Sequence, residues 1–146
     1  MKQTAWLPVV ALLLAGCSSL AVRVEPKVDL SRVHHIFIEV SATDNNGVHR
    51  MMLEDLRRRG FTVYSGPLTM MPRPTEVYIE YKDYWTWDIK NYLVQVDLKV
   101  RDARTQNLLA SAQYFKPTGF ASKPEEIVKR ALDALFKKSG RSGRSR

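Results

Sequence analysis

The chain is 146 residues long, 45% apolar and 26% charged, enough for one domain with its own core and too ordinary a composition for a fibre or a fully disordered protein. Its formal charge is +8, but Lys2 and the cluster Lys137, Lys138, Arg141, Arg144 and Arg146 supply six of the 23 basic residues, so the other 17 nearly balance the 15 acidic ones. A basic tail on a neutral body is a poor match to nucleic-acid binding, which needs its charge on the folded surface.

Behind Lys2, residues 5–15 (AWLPVVALLLA) are apolar, too few to span a bilayer, which takes about 20 residues, and suited to a secretion leader. Small residues Ala15 and Gly16 precede Cys17, the single cysteine of the chain. Leu14-Ala15-Gly16-Cys17 resembles the lipobox of bacterial lipoproteins. That resemblance implies cleavage between Gly16 and Cys17 and a diacylglycerol on the Cys17 thiol, a suitable nucleophile as its thiolate. It also implies acylation of the new amino group; two or three chains anchor durably where one does not. Ser18 follows, not the Asp that retains such proteins at the inner membrane, so the resemblance points to the periplasmic face of the outer membrane. A lone, acylated cysteine leaves no intramolecular disulfide and no thiol-ligated metal.

Residues 1–16 are therefore expected as leader, 17–31 as lipidated cysteine and tether, 32–138 as the domain, and 139–146 (low-complexity, basic) as a disordered tail. Within the domain, VHHIFIEV at 33–40 reads as a strand. Asp44, Asn45, Asn46 and Gly47 then offer caps, and Val48, Met51, Met52 and Leu56 recur at helical spacing up to Arg59, with Gly60 closing the end. FTVY gives a short second strand, and Gly66, Pro67, Pro72 and Pro74 mark a loop. Residues 76–87 alternate, with Val77, Ile79, Tyr81, Trp85 and Trp87 on one side and Tyr78, Glu80, Lys82 and Tyr84 on the other. In 92–101, Tyr92, Val94, Val96, Leu98 and Val100 oppose Leu93, Gln95, Asp97, Lys99 and Arg101. A fifth strand at 108–115 carries small Ala110 and Ala112. Ser122 and Glu125 form a capping-box pattern before an apolar stripe from Ile127 to Phe136. The order βαββββα predicts an α+β, two-layer sandwich, with two helices on one face of a mostly antiparallel five-stranded sheet.

That element order behind a lipobox resembles the domains related to the amino-terminal domain of TolB, which also occur in lipoprotein activators of penicillin-binding proteins. The strand end Tyr81-Lys82-Asp83-Tyr84-Trp85-Thr86-Trp87-Asp88 resembles a YxDxWTWD pattern of proteobacterial outer-membrane lipoproteins, a family that implies no activity.

Two surfaces compete as binding sites. Trp85 and Trp87 either pack beneath the helices or form a stacking platform beside Asp83, Asp88 and Asn91. Tyr78, Lys82, Tyr84, Lys99 and Arg101 share the polar sheet face, either as plain solvated surface or as an aromatic and basic interface. His34 and His35, adjacent on a strand, point to opposite faces, and His49 stands apart, so no metal is expected. Glu80, Asp83, Asp88 and Asp97 read as surface charges, and no catalytic residue is expected. The basic tail is either solubilising or directed at anionic phospholipid. The sequence thus predicts a non-enzymatic lipoprotein held at the membrane by Cys17, with no cofactor and no nucleic acid, binding an envelope protein as adaptor or assembly factor. A lipid- or glycan-binding role at the Trp-rich strand is the alternative.

Overall fold

The computed structural model describes residues 17–144, with side chains to residue 140. The leader 1–16, including Gly16 at the cleavage site, and residues 145–146 of the tail lie outside the described residues. The elements are β1 (Ser19–Val24), β2 (His35–Glu39), α1 (Val48–Arg58), β3 (Thr62–Gly66), β4 (Val77–Trp87), β5 (Asn91–Asp102), β6 (Leu108–Phe115) and α2 (Pro124–Arg144). The sheet has six strands in the order β1-β6-β5-β4-β2-β3. β2 runs parallel to both β3 and β4, and the remaining pairs are antiparallel.

The α+β class stands, but the expected five-stranded, mostly antiparallel sheet is corrected twice. The sixth strand comes from the segment read as tether. Leu20, Val22 and Val24 alternate with Ala21 and Arg23, and the segment pairs with β6 from Ser19↔Phe115 to Val24↔Ala110. It is an edge strand, mostly exposed, with only Val22 and Val24 half buried, so its apolar signal is weak. The sheet is mixed because β4 does not follow β3 as a hairpin. It lies between β2 and β5, and residues 67–76 must travel back along β2 to reach it. α1 occupies one face of β2, and the return segment passes over the other, where Phe37 and Tyr78 are buried.

Both helices pack on the same face. Val48, Met52 and Leu56 of α1 and Ile127, Val128, Ala131, Leu132 and Leu135 of α2 meet Ile36, Ile38, Ile79, Leu98 and Val100 of the sheet, while Ala110 and Ala112 let α2 approach closely. α1 ends at Gly60, which holds φ +95°, a conformation that suits glycine. α2 continues as helix to Arg144, through most of the expected disordered tail. The capping box does not form: Ser122 Oγ takes a hydrogen bond from Lys116 Nζ, and α2 opens at Pro124 with Glu125 and Glu126 in its first turn, where negative charge complements the helix dipole.

A bulge breaks the alternation of β4 and β5. Tyr84 pairs with Gln95 but Trp85 pairs with Leu93, leaving Val94 unpaired with β4. Leu93 is consequently buried, whereas Tyr92 and Val94 are only half buried, the reverse of the expected parity on this stretch.

Candidate functional site: the open sheet face and the hairpin tip

The face of the sheet away from the helices is open on β4, β5, β6 and β1. Strand parity places Glu80, Lys82 and Tyr84 of β4 there, facing Arg101, Lys99, Asp97 and Gln95 of β5 in the register Glu80↔Lys99, Lys82↔Asp97, Tyr84↔Gln95. A groove of about 550 Å³ runs over Glu80, Lys82, Tyr84, Asp97 and Lys99, walled by Glu39, by residues 40–42 after β2, and by Pro67 and Leu68. It is broad and open, lined by apolar and charged side chains together, rather than an enclosed cavity.

The expected face is brought together with one exception. Lys82, Tyr84, Lys99 and Arg101 share it, but Tyr78 is 3% exposed beneath the return segment, and burial raises its hydroxyl pKa, with the nearby Glu80 adding to the effect. The surface is not predominantly basic either. Glu39, Glu80 and Asp97 intersperse with the cations. The guanidinium of Arg101 donates from Nε to Glu80 Oε2 at 2.9 Å and from Nη1 to the Gln106 carbonyl at 3.1 Å. That carboxylate bond is the main reason the Arg101 pKa is raised. Gln95 Nε2 donates to Asp97 Oδ1 at 2.8 Å. Such a row of alternating donors and acceptors suits a polar partner surface or a hydroxylated polymer. Among the described residues no group of three or more His, Cys, Asp or Glu side chains is placed to hold a metal ion.

The two tryptophans part company. Trp85 packs partly against the core and donates from Nε1 to Asp83 Oδ2 at 2.6 Å. Trp87, on the same parity, lies beyond the last core layer and is 74% exposed, with Ile89 in the turn 93% exposed. Neither ring lines the groove.

One cluster had no weight in the sequence beyond a capping role. Asp44, between β2 and α1, has no exposed side-chain surface. Its Oδ1 accepts from the N–H groups of Asn46, Gly47 and Val48 at 3.2, 2.6 and 3.0 Å. Its Oδ2 accepts from the His49 N–H at 2.9 Å and the Tyr81 hydroxyl at 2.7 Å, and lies 2.7 Å from His49 Nδ1. Burial alone would raise the pKa of this carboxyl. The Tyr81 hydroxyl, the N–H and ring of His49 and the Val48 N–H together outweigh it and hold the group well below the usual carboxylate range. The Tyr81 hydroxyl in turn is pushed up, first by burial and then by that same carboxylate. Asp44 thus ties the α1 N-terminus to β4 and fixes the loop that walls the groove.

No protein-family model matches the chain, and no curated protein does. Among solved structures, the PelC dodecamer from Paraburkholderia phytofirmans in space group P6 is similar with a TM-score of 0.59 at 12% identity, over 82% of this chain and 98% of that one. A point variant of the same protein in space group C2 gives 0.57 at 12%, over 80% and 96%. The expected likeness to TolB-related domains and penicillin-binding-protein activators is thereby corrected, since βα element order is shared by many two-layer folds and did not discriminate among them. At 12% identity, what the likeness to PelC carries is the fold.

Proposed function

We propose that the chain is a lipoprotein anchored through Cys17 to the periplasmic face of the outer membrane, and that its domain works as a non-enzymatic adaptor or assembly factor for another envelope component. The observation that carries this reading is the lipobox cysteine standing two residues before an edge strand of a domain whose open sheet face carries a broad, charge-alternating groove over β4 and β5. A sheet face of that kind matches another protein's polar surface better than it encloses a small ligand. Lipid chains confine the domain to a surface and so raise its effective concentration toward partners there. Copies of the same chain are proposed among those partners, by analogy with the dodecamers of similar fold. A glycan strand along the groove is the second reading, supported by the 550 Å³ volume and by Tyr84, whose exposed ring lies among the carboxylates and ammonium groups.

Photo-crosslinkers at Tyr84 and Lys99 in living cells test the adaptor reading. Capture of a defined envelope protein or of a second copy supports it, and recovery of no protein sinks it. Cys17→Ala is expected to abolish incorporation of radiolabelled fatty acid and to leave the precursor uncut, read by gel mobility and mass. Acylated material from that variant would contradict the anchor assignment.

A further inference from the structure

The first described strand and the two most exposed apolar side chains, Ile89 and Trp87, occupy the same end of the molecule. Ser19 pairs with Phe115, Phe115 with Gln95, and Gln95 with Tyr84, one row across four strands. Cys17 lies two residues before that row, and the β4–β5 hairpin overshoots it by three residues at Trp87, roughly 10 Å of strand. At the overshoot stand Trp87 and Ile89. Beside them the short 3₁₀ turn Gly119–Ala121 presents Phe120, 56% exposed, its ring edge-on to Tyr92 at 5.9 Å. Leu20 and Phe115, also exposed, complete an apolar rim at this end. By contrast α1 ends at the far end, where Arg57 reaches the Val63 carbonyl early in β3 at 2.9 Å. α2 runs toward that end too, Phe136 stacking on Phe61 just before β3 at 5.1 Å.

We infer that this end of the domain rests in the lipid headgroup layer, with Trp87, Ile89 and Phe120 as the inserted side chains, and that the strands rise from the membrane toward the basic end of α2. The inference deepens the anchored reading and rests on it. The occupant is a lipid surface because Cys17 leaves too little chain to hold the domain away: two residues span at most about 7 Å. Tryptophan belongs at that depth, its ring apolar and its N–H able to bond at the interface. Asp88 and Lys90, exposed and alternating with Trp87 and Ile89, keep the turn among headgroups and out of the hydrocarbon. The orientation also sends the basic C-terminal turns of α2 away from the membrane that holds the anchor.

The test uses the chain from Cys17 onward, which contains every described element and one thiol, coupled through that thiol to a maleimide lipid in phosphatidylethanolamine and phosphatidylglycerol vesicles. Coupling makes the result independent of whether cells acylate Cys17; a bare thiol in native material overturns the anchor and leaves this measurement intact. Trp85→Phe isolates Trp87. Its emission is expected to shift to the blue, to be quenched by lipids brominated near the headgroup, and to be at least about threefold less quenched by aqueous iodide than in the uncoupled chain, as for an interfacial indole. If Trp85→Phe does not fold, the difference between the unsubstituted chain and Trp87→Phe gives the same readout. Unchanged iodide access with no quenching from bromine overturns the inference.

Discussion

Asp44→Ala is expected to lower the stability of the domain by about 3 kcal/mol or more, read as a fall in the urea midpoint with an unchanged slope, and by roughly 10 °C in Tm for a domain of this size. A helix-cap carboxylate replaced by alanine typically costs about 1 kcal/mol. Asp44 does more than cap. Its two oxygens serve four backbone N–H groups and the Tyr81 hydroxyl, and its side chain is wholly covered. Alanine would leave the Val48 and His49 donors at the α1 N-terminus and the Tyr81 hydroxyl without their acceptor, and each buried donor left unmade costs about 1–3 kcal/mol. Tyr81→Phe, which removes one donor and keeps the carboxylate with its remaining bonds, is expected to cost about 1 kcal/mol. Equal losses from the two variants would show that the hydroxyl, and not the helix terminus, is what Asp44 secures.

The same carboxylate gives the domain a signature in acid. Its pKa in the folded state is depressed below its unfolded value, so the unfolded chain binds the proton first. The stabilisation is fully present above the unfolded pKa of about 4 and is lost as pH falls through that value toward the folded one. Stability measured from pH 6 down to pH 2 should therefore fall more steeply in the wild-type domain than in Asp44→Asn, which has no charge to titrate there. Parallel acid limbs would remove Asp44 from the account.

What the sequence shows of this molecule depends on how local the cause is. α1 was readable because Met52 and Leu56 repeat at the helical period and Gly60 marks the end. β6 was readable at both boundaries, since Leu108–Phe115 is bounded by turn residues on one side and Lys116-Pro117 on the other. β1 carries an alternation of its own, Leu20, Val22 and Val24, but an edge strand buries little and its pairing depends on β6, some ninety residues away. The insertion of β4 beside β2 is likewise a long-range choice, and the Pro-rich segment 67–76 gives no hint that it will roof Phe37 and Tyr78. That roof is why Tyr78 left the candidate surface while Lys82, Tyr84, Lys99 and Arg101 stayed on it. Strict alternation also gave Trp85 and Trp87 one fate. The core ends between them, and a period of two carries no information about where a core stops. Asp44 was visible as a cap, but its bond to Tyr81 bridges 37 positions, beyond anything a local pattern encodes.

Gly119→Ala should be the second large loss, about 2–3 kcal/mol, in the range for overpacking a site that cannot yield. Gly119 is buried in the 3₁₀ turn Gly119–Ala121, against the start of β5. A Cβ built there would overlap the carbonyl oxygen of Leu93, lie 3.1 Å from its carbonyl carbon and 3.4 Å from the Tyr92 ring. Leu93 is buried, paired with Trp85 and adjacent to the bulge at Val94, so β5 cannot retreat without disturbing the core. The turn must lift instead. Lifting it separates Phe120 from Tyr92 and pulls on the bond from Lys116 to Ser122, loosening the approach to α2. Gly140→Ala is the matched control: an added Cβ there meets nothing within 4 Å, the site lies inside α2, and a gain of about 0.5–1 kcal/mol is expected from replacing a helical glycine. Opposite signs for the two substitutions, measured by urea denaturation, are the expected result. A neutral Gly119→Ala would mean that the turn floats free of β5, and the apolar end of the molecule would then lack the rigid support that holds Phe120 beside the hairpin.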